Sequence, residues 1–94
     1  MLARMALKQT PASAETIGIR AIVFLAARED DLLRFVSHSG LDPADLRARA
    51  GEAEVLAAVL QHLLTDDTLL TEFCDGEGLA PRDVHLAQHR LAGG

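Results

Sequence analysis

His85 and His89 are the first residues whose type and spacing suggest chemistry. Four apart on a helix, two imidazoles share a face and can hold one metal ion. Leu86 follows His85, so the pair lacks the general base of a metalloprotease helix. No third ligand is evident, because Cys74 reads as a core residue and His62 belongs to another segment. Two solvent-facing histidines are the plainer reading. No cofactor or metal is assigned, and His85 and His89 stand as the metal candidates. Cys74, the single cysteine, reads as a small buried hydrophobe. A reactive thiol needs a histidine partner and an electropositive setting, whereas Asp75 and Glu77 would raise its pKa. No catalytic residue is assigned, and the expectation is a protein that is not an enzyme.

Two stretches, Phe35–Leu46 and Phe73–Val84, run helix, Gly-Leu, short break, helix. The spacing is that of a helix-turn-helix, with Arg47 and Arg49 placed to meet phosphate or guanine. Asp42 and Asp45 stand where base contacts would be made, and Val36 and Cys74 occupy a position that is usually small. A glycine-capped helix followed by a proline-started one explains the same letters. The acidic pairs Asp30/Asp31 and Asp66/Asp67 precede helices, where capping and the helix dipole account for them. There is no glycine-rich phosphate loop, paired-cysteine zinc spacing or serine nucleophile elbow.

The elements that would position these groups are all helical. Ala and Leu dominate, β-branched residues are few, and Trp and Tyr are absent. Thr10 and Pro11 open a first helix to about Arg28. Its stripe of Ile17, Ala21, Phe24 and Leu25 leaves Ile19, Val23 and Ala26 elsewhere around the wheel. Such a helix is either central or packed against another chain. Asp30 or Asp31 caps a second helix with Leu32, Leu33, Phe35 and Val36 on its apolar side, ending at Gly40. Asp42 and Pro43 start a short third. The fourth, about Glu52 to Leu64, has a broad apolar face. Asp66 or Asp67 caps a fifth carrying Leu69, Leu70, Phe73 and Cys74, ending by Gly78. The sixth starts at Pro81 and presents Val84, Leu86 and Leu91. There Ala80 replaces a capping aspartate, so this last helix should fray at its start.

A shift of 38 positions lays residues 25–49 on 63–87 with seven identities: Leu25/Leu63, Leu32/Leu70, Phe35/Phe73, Gly40/Gly78, Leu41/Leu79, Pro43/Pro81 and Asp45/Asp83. The chain therefore reads as an all-α compact bundle of about six helices in two pseudo-repeated three-helix units, about 10–51 and 52–92. A loose N-terminal segment, 1–9, precedes a single domain, 10–94.

The formal net charge of −5 weighs against nucleic acid and anionic membrane as partners. The longest apolar stretch, Ile17–Ala27, is interrupted by Arg20 and is too short to span a bilayer. It also reads poorly as a signal peptide, so a cytoplasmic location is expected. One cysteine fits a reducing compartment.

The segment Ser39–Ala50, Ser-Gly-Leu-Asp-Pro-Ala-Asp-Leu-Arg-Ala-Arg-Ala, with the helix Val55–Leu64 and Asp66-Asp67 after it, resembles a small bacterial family catalogued only as a domain of unknown function. The resemblance covers nearly the whole chain from Thr10. It implies no activity, cofactor or catalytic residue.

The residues favour a small protein-interaction or adaptor module, acting alone or as a homodimer. Its candidate interface is Ile17, Ile19, Val23 and Ala26. The alternative is a helix-turn-helix-like nucleic-acid binder using Arg47 and Arg49.

Overall fold

A computed structural model describes residues 13–93. The expected loose segment 1–9 and the helix start at Thr10–Pro11 lie outside the described residues. Within them the chain is all-α, with no strand: α1 Ala14–Ala26, α2 Glu29–Ser39, α3 Pro43–Ala48, α4 Ala53–Leu64, α5 Asp67–Glu77 and α6 Pro81–Leu91. Six helices form one bundle around a single core of Leu, Val, Ile, Ala, Phe and Cys74.

Local sequence chemistry sets most of the helix ends. Ser13 starts the described part of α1, its hydroxyl accepting the Thr16 N–H at 3.1 Å. Asp42 caps α3 by accepting the Asp45 N–H at 2.8 Å, with Pro43 in the first turn where no N–H is needed. Asp66 caps α5, accepting from Thr68 and Leu69. The start of α2 corrects the expectation. It begins at Glu29 with Arg28 at the cap and no side-chain capping bond. Asp30 and Asp31 therefore sit inside the first turn, where the positive end of the helix favours them without a cap bond.

Gly40 and Gly78 both take the left-handed conformation that ends α2 and α5, at φ 79° and 69°. The two ends differ in detail. At α5 both the Gly78 and Leu79 N–H groups return to the Cys74 carbonyl. At α2 only Gly40 bonds back, to Val36, while Leu41 N–H goes to the Ser39 hydroxyl. The expected fraying at α6 meets a substitute. Ala80 cannot cap, but the Asp83 carboxylate reaches back to accept the Ala80 N–H at 2.9 Å.

The core is a triangle of α1, α4 and α6, with α2 and α5 packed on its flanks. In α4, Val55, Leu56, Ala57, Val59, Leu60 and Leu63 are all buried, so this helix is the hub. The two halves of the chain do not play matching parts. α6 is a full-length wall of the core, whereas α3 has six residues and buries only Leu46. Two expected core residues turn outward: Leu33 of α2 and Leu86 of α6 are exposed, and α6 packs through Val84, Ala87 and Leu91 instead.

The tightest approach in the core is α1 against α4 at Gly18. A Cβ built there would lie 2.8 Å from the Leu56 Cβ, closer than two such carbons can pack. Both atoms are fixed to helix backbones, so neither can swing away. Ala21 and Leu25 continue the same buried line along α1.

Gly18→Ala gains helix propensity of up to about 1 kcal/mol but forces the helices apart, and overpacking costs about 1–3 kcal/mol. The expected net result is a loss of about 1–2 kcal/mol in urea unfolding followed by circular dichroism. Gly76, inside α5 with open space around it, is the control. Gly76→Ala should stabilise by about 0.5–1 kcal/mol. A stabilised Gly18→Ala would refute the close-approach account.

Candidate functional site

Among the described residues, nothing packs over the face of α1 opposite the core. Val23 is 63% exposed and Ile19 46%, and Ala26 and Thr16 are exposed beside them. Ile17, grouped with these residues from sequence, belongs to the core at 4% exposure and is removed from the candidate surface. Gly18 lies midway between the two, and the burial of Ala21 and Leu25 beside it fixes the rotation that carries Ile17 inward and Ile19 outward.

This face forms one side of an open groove of about 670 Å³, lined by Thr16, Ile19, Val23 and Phe24 with Arg20, Arg28 and Glu77 at its rim. Phe24 is half-buried, its ring edge-to-face with Phe73 at 5.4 Å. Arg28 lies over the Phe24 ring, 4.7 Å from the guanidinium carbon to the centroid, and also pairs with Glu72 and Asp31. A cation over an aromatic face contributes about 0.5–1 kcal/mol at such a half-open site. Arg20 donates from Nη1 to Glu77 at 2.9 Å, joining α1 to the end of α5. The floor is thus apolar and the rim is built of arginines already held in place.

Sequence reading missed this rim. Arg20 interrupts an apolar helix and Arg28 follows its end, which is a visible signal. Their partners Glu77 and Glu72 are far away in the chain and could not be found that way.

The other candidates lie apart from this surface. His85 and His89 are both exposed on α6, and no group of three metal-ligating side chains occurs among the described residues. Arg47 is exposed on α3 and has no ion pair among the described residues, whereas Arg49 caps the end of that helix and binds Glu52 at 3.0 Å. Cys74 is buried, and burial followed by the charges of Asp75 and Asp83 pushes its thiol pKa up, away from reactivity.

His62 lies in the last turn of α4. Its ring lies edge-to-face with Phe35 at 5.4 Å and 6.1 Å from the His38 ring. Its Nε2 is buried with no hydrogen-bond partner among the described residues. Burial, and then the proximity of His38, lower its pKa, with Asp66 and Asp31 acting the other way and Arg34 adding to the lowering.

The sequence matches, over residues 11–94, the family described as "Protein of unknown function (DUF3572)". The chain belongs to the DUF3572 family. The match spans every described helix, so the DUF3572 region and the six-helix bundle coincide over residues 13–93. Neither a curated protein nor a solved structure matches this DUF3572 chain.

Two measurements check these assignments. Val23→Asp, on the open face, should change the stability of the monomeric chain by no more than about 0.5 kcal/mol, whereas Ile17→Ala should cost about 2–4 kcal/mol. For His62 the folded pKa lies below that of the unfolded chain, so on acidification the unfolded state takes up the proton first. Its contribution to stability is therefore fully present above about pH 6.5 and is lost as pH falls from there toward the folded pKa. Urea midpoints of the parent should decline from pH 7.5 to 5.5, and His62→Gln should flatten that decline. An unchanged slope would remove His62 as its cause.

Proposed function

We propose that the chain is a protein-interaction module with no catalytic step of its own, acting in the cytoplasm through the outer face of α1. The observation that carries this reading is the pair Ile19 and Val23, exposed one turn apart above an apolar groove. Single exposed apolar side chains are ordinary, but adjacent ones over an apolar floor with a polar rim are the usual anatomy of a binding surface. No described helix is long and apolar enough to cross a membrane, so this face is not part of a spanning segment among the described residues. The partner is another protein or a second copy of the chain.

The nucleic-acid reading rests on Arg47 and Arg49. Its support is thinner. α3 is six residues long, Asp42 caps its start, Asp45 lies in its first turn, and Arg49 is already paired with Glu52. A phosphate-binding face needs several uncompensated cations.

The two readings separate in one set of variants. Proteins retained by the immobilised chain from an extract of its source organism should be lost with Val23→Asp and Ile19→Asp. They should be kept with Arg47→Glu. Salt-dependent binding of duplex DNA that disappears in Arg47→Glu and Arg49→Glu would instead support the nucleic-acid reading and overturn the first.

A further inference from the structure

The uncovered residues of α1 have a specific spacing. Thr16, Ile19, Val23 and Ala26 are separated by three, four and three residues, and all four are exposed. At 100° per residue they fall within an arc of about 80°, on the side of the helix away from Gly18, Ala21 and Leu25. This is the spacing of the seam of a two-stranded coiled coil, which would put Thr16 and Val23 at the first seam position of the heptad and Ile19 and Ala26 at the second. Both residues at the first position are β-branched, which parallel two-stranded coils favour.

The flanks carry a charge pattern. Glu15 borders the seam on one side and Arg20 on the other, five residues later. When two such helices run parallel, the flank bearing Glu15 of one faces the flank bearing Arg20 of the next, twice by symmetry. When they run antiparallel, like flanks meet and the two Arg20 side chains crowd together. Arg20 uses Nη1 for Glu77, which leaves its other donors for a second carboxylate. Glu15 has no ion pair among the described residues.

We propose that α1 is the seam of a parallel homodimer, in which Thr16, Ile19, Val23 and Ala26 pack against their own copies and Glu15 pairs with Arg20 across the interface. The inference rests on the outer face of α1 being an interaction surface and names its occupant as a second copy of the chain. The face is isologous, so one twofold axis parallel to α1 closes the assembly at two chains.

Light scattering on a sizing column, over a dilution series, should give twice the 10.1 kDa chain mass at high concentration. Val23→Asp should return it to one chain mass with the helical circular dichroism of the parent. Glu15→Arg should weaken the dimer at least tenfold, and the double reversal Glu15→Arg with Arg20→Glu should restore it. Val23→Cys should form an intermolecular disulfide with its own copy under mild oxidation. The buried Cys74 gives the parent chain no such product and serves as the background.

A chain that stays monomeric at every concentration overturns the proposal. So does a dimer indifferent to Val23→Asp. Cross-linking between Ile19→Cys and Val23→Cys chains, with none between Val23→Cys copies, would show the antiparallel arrangement and overturn the parallel one. A monomer that still captures a partner sensitive to Val23→Asp defeats the dimer alone. A monomer that captures nothing defeats the interaction reading as well.

Discussion

The close approach of α1 to α4 at Gly18 decides how the rest of the bundle is arranged. An α1 without a side chain at that position can bring its backbone nearer to Leu56 than any other residue type would allow. Helix packing is a matter of fitting ridges into grooves, and the missing side chain opens a groove into which the Leu56 side chain fits. With Gly18 facing α4 and Ala21 and Leu25 buried beside it, helical geometry carries Ile17 to the buried side and Ile19 and Val23 to the open one. The core and the candidate interface are therefore two consequences of one helix rotation.

This explains which parts of the fold were legible in the sequence. Helix number and order followed from periodicity, and most ends followed from short-range chemistry: Asp42 with Pro43, Asp66, Gly40 and Gly78 all act within four residues of themselves. The failures share a cause. Whether Ile17 or Ile19 is buried, and whether Leu33 and Leu86 turn inward, depends on the rotation of a helix against neighbours far away in the chain. An apolar helix such as α1 has several candidate inner faces, and composition alone does not choose among them. Gly18 was the local sign of the right choice. A glycine in the middle of a helix is unfavourable by about 1 kcal/mol and persists where backbones must meet.

The 38-residue correspondence illustrates the same distinction. The positions that recur are the ones that cap, turn and pack, so they reproduce helix, glycine, leucine and proline in order. They do not reproduce tertiary role. α6 keeps its eleven residues because Asp83 closes on the Ala80 N–H and its last turn lines the core with Leu91, whereas α3 stops after six. Similar local instructions give different lengths when one segment has a wall to pack on and the other does not.

The rim of the candidate interface is already paired within the chain, and that bears on what it can do. Arg28 pairs with Phe24, Glu72 and Asp31, and Arg20 with Glu77. Individually these surface ion pairs contribute about 0–1 kcal/mol to stability, too little to explain them as fold determinants. The rim charges act on association by setting direction. With Glu15 on one side of the seam and Arg20 on the other, a partner helix carrying the same pattern meets opposite charge in one orientation and like charge in the reverse. The apolar residues of α1 can supply affinity without regard to direction, and the arginine that interrupts them supplies the choice.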